Sequence, residues 1–143
     1  MTEEQLSRTG GCLCGAVRYE VSGPLRGIVV CHCTMCQKLH GGIGPHTKAA
    51  KEYIRITQDE GLGWYQSSEI ARRGFCSLCG SSLFWDPFDQ EGTGILAGSL
   101  DDASDLENIG HIFVGEKAGF FEICDGRQQF QGSSHGNLDG DFR

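Results

Sequence analysis

Clustered cysteines are the residues of this chain best suited to do chemistry, because thiolates are strong ligands for metal ions. Seven of the eight cysteines fall into three groups, which are, in chain order, Cys12/Cys14, Cys31/Cys33/Cys36 and Cys76/Cys79. Along an extended segment residues i and i+2 face the same side, so a C-x-C pair offers two sulfurs together. A C-x-x-C pair forms a tight turn that brings both thiolates to one tetrahedral zinc ion. Gly80, directly after Cys79, suits such a turn because glycine tolerates positive φ. The spacing therefore predicts metal sites.

The number of clustered cysteines suggests two metal sites of different kinds. A closed structural zinc site takes four thiolates, whereas a reactive site keeps three protein ligands and one open position. We assign four cysteines to the closed site, namely Cys12, Cys14, Cys76 and Cys79. The open site takes the central triplet, Cys31, Cys33 and Cys36. Spacing alone also permits other partitions, such as the Cys76/Cys79 pair joining the triplet. The alternative for the triplet is a purely structural zinc site completed by a fourth residue, with His32, His40, His46 and Cys124 as candidates.

Length and charge limit the remaining possibilities. The 143 residues predict a single domain over 1–143, with its core over about 10–132 and a loosely held tail over 133–143. Twelve Lys and Arg against nineteen Asp and Glu give a formal charge of −7, which argues against binding to nucleic acid phosphates. For the adjacent Arg72 and Arg73 we expect solvated surface positions.

The first residues, MTEEQLSRTG, are polar and acidic, and no apolar stretch approaches the length of a membrane span. This pattern predicts a cytoplasmic protein with no membrane partner. In a reducing compartment clustered thiols serve as metal ligands rather than as disulfides.

Short apolar runs broken by many of the 22 glycines predict a mainly β protein. We predict strands around His46 and over residues 17–21, 27–30, 53–57, 63–67, 70–75, 82–85, 95–98, 111–114 and 120–123. Thr34 is the predicted N-cap of a short helical turn over 35–40, which Gly41 and Gly42 end.

We expect Cys124 to be a small buried residue on a strand, and His32 to point away from the metal because neighbours on a strand face opposite sides. We expect the aromatic residues to lie chiefly in the core, namely Trp64, Tyr65, Phe84, Trp85, Phe113, Phe120 and Phe121. Asp101 and Asp102 are expected in structural turn roles.

The order of the motifs resembles the glutathione-dependent formaldehyde-activating enzyme (GFA) family. The resemblance runs over about 10–132 and rests on five segments, GGCLCGAVRYE, CHCTMCQKLHGG, WYQSSEIARRGFCSLCGSSLFW, GILAGSLDD and HIFVGEKAGFFEI. It implies a zinc-stapled fold of coiled antiparallel sheets, the β-tent, which is related to methionine sulfoxide reductases of the B type. Cys124 and the segment Gly119-Phe120-Phe121 depart from the family pattern, which bears on the substrate more than on the fold.

The resemblance also implies a function. It gives two zinc ions per chain, a structural one on Cys12, Cys14, Cys76 and Cys79 and a functional one on the catalytic triplet Cys31, Cys33 and Cys36. The implied activity joins formaldehyde to glutathione as S-(hydroxymethyl)glutathione, and in reverse it is that of a carbon-sulfur lyase. The partners would be a glutathione-like thiol and an aldehyde. A zinc ion with three thiolate ligands suits the activation of a thiol better than that of a carbonyl, because the three anionic sulfurs reduce its Lewis acidity.

Two other functions compete with this one. The first is a non-catalytic zinc-binding β-tent module for protein interaction, which would need a fully coordinated second zinc ion and no affinity for small thiols. The second is a redox protein, which would need a catalytic cysteine outside the three groups. Cys124 is the one cysteine that such a mechanism could use.

Overall fold

The computed structural model of the protein describes residues 7–140 and 142, and in this part the chain is mainly β, as predicted. The described residues form one α-helix, α1 (Thr34–His40), and three 3-10 turns, Lys51–Tyr53, Ala97–Ser99 and Val114–Glu116. The strands are, in chain order, β1 (Arg8–Gly11), β2 (Arg18–Val21), β3 (Ile28–Cys31), β4 (Gly44–Ala50), β5 (Ile54–Gln58), β6 (Leu62–Gln66), β7 (Ala71–Cys76), β8 (Ser82–Pro87), β9 (Gly92–Leu96), β10 (Asn108–Ile112) and β11 (Gln128–Gln129).

The strands form two sheets. A small antiparallel sheet has the order β1-β2-β5, and a large one has the order β11-β10-β3-β4-β9-β8-β7-β6. The large sheet is antiparallel from β3 through to β6, but β10 pairs in parallel with both β3 and β11. The expectation of antiparallel sheets is therefore confirmed for most pairs, and the large sheet is mixed at one edge.

The core contains buried side chains from both sheets. Strand β2 alternates half-buried and buried residues, so Tyr19 and Val21 point inward, as the alternation predicts. The Tyr19 ring meets the Phe84 ring of β8 edge to face at 5.2 Å, and its hydroxyl bonds the Ser99 hydroxyl at 2.6 Å. Burial raises the pKa of Tyr19 to about 12, so the ring remains a neutral hydrogen-bonding group. These contacts join the small sheet to the large one.

Three predicted strands differ from the structure for local reasons. The strand predicted over 95–98 spans Gly92–Leu96 instead, because Ala97–Ser99 forms a 3-10 turn. The strand predicted over 111–114 spans Asn108–Ile112 instead, because Phe113 adopts a left-handed conformation (φ 54°). The segment 120–123 is not a strand, since the Phe121 amide donates to the Ala118 carbonyl in a turn. The Lys117 ammonium donates to the carbonyls of Ala118 and Phe121. These backbone groups are thus satisfied without a sheet partner.

Several residues predicted to be buried are exposed, both in the segment around residues 120–124 and on the edge strand β6. Phe84 is buried, but Tyr65 on the edge strand β6 is 61% exposed and Phe120 is 79% exposed. Cys124 is exposed and lies in an irregular segment rather than on a strand.

The tail makes specific contacts with the body of the domain. Leu138 is buried and lies against Gly110 on β10. The Asp139 carboxylate accepts hydrogen bonds from Arg26 at 3.1 Å and from Lys48 at 3.0 Å. This part of the segment predicted to be loosely held is thus packed and ion-paired.

In the described part of the chain no helix has the length and apolar character needed to cross a membrane.

Candidate functional site

The first cysteine cluster brings four sulfurs together from two distant parts of the chain. Its members are Cys12, Cys14, Cys76 and Cys79, whose sulfurs all lie within 4.8 Å of one another. The Cys14 sulfur is 3.7 Å from that of Cys12 and 3.7 Å from that of Cys76. This is the predicted closed set, and the alternative in which Cys76 and Cys79 join the triplet is excluded.

Hydrogen bonds hold the two turns of this cluster in register. The Leu13 amide donates to the Ser81 hydroxyl at 3.0 Å, which links one turn to the other. Gly80 has φ +82°, so it provides the predicted left-handed residue after Cys79. Hydrogen bonds from the hydroxyl and amide of Ser81 lower the pKa of Cys79 to about 5, which favours the thiolate that a metal requires.

The second cluster is the predicted triplet, Cys31, Cys33 and Cys36, whose sulfurs also lie within 4.8 Å of one another. Cys31 ends β3, and Cys36 lies in the first turn of α1. Cys33, rather than the predicted Thr34, is the N-cap of α1, and its sulfur accepts a hydrogen bond from the Cys36 amide at 3.3 Å. Cys31 and Cys36 are buried, and Cys33 is partly exposed.

Helix α1 is fixed at both ends, which keeps Cys33 and Cys36 in place. The amide and hydroxyl of Thr34 donate to the Glu116 carboxylate at 3.0 and 3.2 Å, so Thr34 serves as a donor to a distant residue. The Gln37 amide group donates to the Glu116 carbonyl at 2.7 Å. Gly41 ends the helix as predicted, in a left-handed conformation.

Strand pairing positions Cys31 from both sides. In register it lies opposite Gly44 on β4 and Ile112 on β10. A Cβ atom on Gly44 would lie 2.8 Å from the Cys36 sulfur and 3.0 Å from the His40 ring. The triplet therefore packs directly against the backbone of β4 at Gly44, where a side chain would not fit.

The sulfurs of the triplet interact strongly with one another. Hydrogen bonds with the thiols of Cys31 and Cys36 lower the pKa of Cys33, and the reciprocal bond with Cys33 raises the pKa of Cys31. The positive charge of Arg73 also lowers the pKa of Cys33. These contacts favour the thiolate form of Cys33.

Both clusters have the dimensions of metal sites. At a Zn–S distance of about 2.3 Å, the sulfurs of a tetrahedral site lie about 3.8 Å apart. The two separations of 3.7 Å at Cys14 match this value. Each cluster could hold a metal ion, and sets made wholly of thiolates suit a soft ion such as zinc.

None of the candidates for a fourth ligand joins the triplet within the 4.8 Å group in the part of the chain that the structure describes. His46 lies on β4, where its Nδ1–H donates to the Val29 carbonyl at 3.2 Å. Burial lowers the pKa of His46 to about 4. His40 lies beside Cys36 at Gly44 without joining the group, and Cys124 lies in the exposed segment described above.

His32 points away from the triplet, as predicted, and into a chain of polar groups that sequence reasoning missed. His32 is fully buried, and its Nε2 lies 2.9 Å from Nδ1 of the buried His111. The His111 Nε2–H donates to the Asp125 carboxylate at 2.7 Å. Because the carboxylate fixes the proton on Nε2 of His111, neutral His111 accepts from the Nε2–H of His32. His32 Nδ1 is buried without a partner among the described residues.

A cavity of about 310 Å³ lies beside α1, the helix that carries Cys36, with Leu39 and His40 of α1 and Phe75 and Phe84 of the sheet among its lining residues. Arg73 on β7 also lines it. The prediction of a solvated Arg73 was wrong, since this residue is only 9% exposed. The alternation on β7 could have shown this, because it puts Arg73 on the same face as the buried Ala71.

The fold and site define a β domain with one four-cysteine and one three-cysteine cluster, each of which could hold a metal ion. The family model of the glutathione-dependent formaldehyde-activating enzyme matches residues 7–116, and the chain belongs to this family.

Individual relatives agree with this assignment. A Halomonas elongata protein that carries the name of the glutathione-dependent formaldehyde-activating enzyme is 31% identical, with 80% of this chain and 79% of that protein covered. A Schizosaccharomyces pombe protein described as an uncharacterized lyase is 28% identical, and the match spans 53% of this chain and about half (55%) of that protein. The crystal structure of a Rhodobacter sphaeroides protein matches with a TM-score of 0.54 and 27% identity, over 68% of this chain and 93% of that one.

Proposed function

We propose that this protein is a zinc-dependent carbon-sulfur lyase that forms or cleaves the S-hydroxymethyl adduct of a glutathione-like thiol. The observation that carries the proposal is the convergence of Cys31, Cys33 and Cys36 without a fourth described ligand. Membership of the GFA family supports a reaction of this type, with formaldehyde and glutathione as the substrates that the family name indicates.

The two clusters have different roles in this proposal, with two zinc ions per chain in a cytoplasmic enzyme. Cys12, Cys14, Cys76 and Cys79 hold a structural zinc ion, since four thiolates close a tetrahedral site. They join residues far apart in sequence, and a metal ion there stabilises the fold. The triplet holds the zinc ion that takes part in the reaction.

The residues around the triplet prepare it for a thiol substrate. Cys31, Cys33 and Cys36 would hold a zinc ion with one position left for a thiol, and the ion would lower the pKa of that thiol towards neutrality. Burial of Cys31 and Cys36 excludes water from the inner side of the cluster. The Cys36 amide would stabilise a thiolate at Cys33, and Leu39 and His40 of the same helix line a cavity.

In the forming direction, the sulfur of the thiol attacks the carbonyl carbon of formaldehyde. One S–C bond forms, the π pair of the carbonyl moves to oxygen, and the proton that the thiol loses ends on that oxygen as the new hydroxyl group. Cleavage reverses each of these changes, so no redox partner is required.

The test is the rate of exchange between ¹³C-formaldehyde, glutathione and their adduct, measured by NMR with the zinc-loaded protein. We expect the wild-type protein to exceed the uncatalysed rate. Cys36→Ser should contain one zinc ion fewer per chain and lose the acceleration while it keeps its fold. Cys124→Ser is the matched control, because this cysteine is exposed and outside both clusters, and it should behave as the wild type.

Two results would overturn the proposal. One is a wild-type rate equal to that of buffer together with no affinity for small thiols, which favours a non-catalytic zinc-binding module. The other is full activity in Cys36→Ser. Loss of activity in Cys124→Ser would move the chemistry to that thiol and favour the redox function.

A further inference from the structure

Arg73 has no acidic partner in the described part of the chain, and its side chain lines a cavity. Its Nε–H donates to the Ser67 hydroxyl at 3.3 Å, and neither terminal nitrogen has a hydrogen bond or ion pair with a described residue. Only 9% of the residue is exposed. The fully buried polar atoms without a partner among the described residues are Arg8 Nε and His32 Nδ1, so the terminal nitrogens of Arg73 are accessible and free to bind an anion that enters the cavity.

The other arginines near this position have acidic partners. Arg72, the next residue on β7, stacks on Trp64 at 3.7 Å and donates to the Asp86 carboxylate at 2.8 Å. Arg26, which is also largely buried, donates to Asp139. Arg73 thus differs from two comparable arginines of the same chain.

Arg73 faces both the cavity and the cysteine triplet. It lines the cavity of about 310 Å³ together with His40, and His40 lies beside Cys36 at Gly44. Its positive charge favours the thiolate forms of Cys33 and Cys36. Leu39, Phe75 and Phe84 give the lining an apolar part, Tyr65 and Ser82 add hydroxyl groups, and no acidic residue lines the cavity. An anion that enters this cavity would therefore meet one cation close to the metal cluster.

We propose that Arg73 binds a carboxylate of the thiol substrate and so determines that this site takes thiols bearing a carboxylate. This proposal rests on the proposed function, because it requires a thiol at the triplet. A guanidinium presents a planar pair of N–H groups that matches the two oxygens of a carboxylate. The sulfur of the substrate would reach the triplet while its carboxylate lies in the cavity.

A competing role for Arg73 is to balance the charge of the cluster itself. Three thiolates and one Zn²⁺ carry a net charge of −1, which a nearby guanidinium could offset. The two roles predict different results, since charge balance affects every thiol and metal retention alike, whereas carboxylate binding affects only ligands with that group.

The test compares the binding of N-acetylcysteine and N-acetylcysteinamide, which share a thiol and differ in the carboxylate, by calorimetry on the zinc-loaded protein. We expect the wild-type protein to bind the acid about tenfold to a hundredfold more tightly than the amide, as charge-assisted hydrogen bonds allow. Arg73→Gln should bind the two ligands equally while it keeps two zinc ions per chain. Arg73→Lys keeps the charge but not the planar pair of donors and should discriminate weakly. Arg72→Gln is the matched control and should discriminate as the wild type does.

The outcomes separate this inference from the proposed function. Equal binding of both ligands by the wild type, or unchanged discrimination in Arg73→Gln, overturns the role of Arg73 and leaves the lyase proposal in place. Loss of triplet zinc in Arg73→Gln, with full discrimination in Arg73→Lys, assigns Arg73 to charge balance and also overturns the inference. No binding of either thiol by the wild type contradicts both proposals.

Discussion

His32 and His111 form a buried imidazole pair across two parallel strands, with 2.9 Å between Nε2 of His32 and Nδ1 of His111. His32 stands between two cysteines of the triplet, and its amide donates to the Ile112 carbonyl at 3.0 Å. The segment that carries Cys31 and Cys33 is therefore attached to β10 by both its backbone and a side chain.

We predict that His111→Ala loses about 2–4 kcal/mol of stability, because it leaves a cavity and an unpartnered His32 N–H. The zinc content of the triplet should fall while the four-cysteine cluster keeps its metal. Urea unfolding and zinc analysis measure the two effects. Asp125→Asn, which keeps an acceptor for His111, should cost about 1 kcal/mol. A His111→Ala protein with wild-type stability and two zinc ions would show that the pair contributes neither to folding stability nor to zinc retention at the triplet.

Gly44→Ala should disrupt the triplet, because the added methyl group would lie 2.8 Å from the Cys36 sulfur. We expect about one zinc ion per chain and little thiol binding, checked by elemental analysis and calorimetry. Gly132→Ala is the matched control, since a Cβ there meets no atom within 4 Å, and it should retain both ions. If Gly44→Ala kept two zinc ions and full thiol affinity, the close packing at this position would not matter for the site.

His46 should make stability depend on pH. Burial lowers its pKa to about 4, below the value of about 6.5 in an unfolded chain. Between these values the unfolded chain binds more protons than the folded one, so stability falls as the pH drops from about 6.5 to about 4 and is not lost further below that. The loss should reach up to about 3 kcal/mol. His46→Gln should flatten this part of the pH profile in urea unfolding, and an unchanged profile would assign the dependence to other groups.

The tail contact through Asp139 should contribute measurably to stability. Asp139→Asn removes the charge that pairs with Arg26, whose side chain is 11% exposed, and we expect a loss of about 1–3 kcal/mol. Glu20→Gln is the comparison, because its partner Arg55 is 74% exposed and such surface pairs contribute about 0–1 kcal/mol. Thermal melts of both variants check the ranking. Equal and negligible losses would support the loosely held tail that the sequence predicts.

The cysteine pairs and the triplet could be predicted from sequence because the sulfurs within each of these groups lie close together along the chain. A C-x-x-C turn followed by Gly80 has few conformations that leave both sulfurs on one side, and the structure has φ +82° at that glycine. Most strands followed from alternation for a similar reason, since burial on one face of a strand is a local pattern. The partition into four and three sulfurs came from counting and from the resemblance to the family.

The missed features depend on contacts between distant residues. Thr34 is a residue type that often serves as an N-cap. In the structure its hydroxyl and its amide instead donate hydrogen bonds to the carboxylate of Glu116, 82 residues away. The His32–His111 pair requires the parallel register of β3 and β10, which no local periodicity encodes. Phe120 and Phe121 have strand-like composition, yet Lys117 satisfies the nearby carbonyls in a turn.

The division of ligands along the chain also sets an order for assembly during synthesis. The triplet is complete once Cys36 has been made, so it can bind a metal ion while most of the chain is still absent. The four-cysteine cluster has to wait for Cys79, and β3 gains its parallel partner only when residues 108–112 emerge. Pairing between strands so far apart in sequence is slow compared with local contacts. The nascent chain therefore exposes reactive thiols for much of its synthesis, and early metal binding at the triplet would protect three of them.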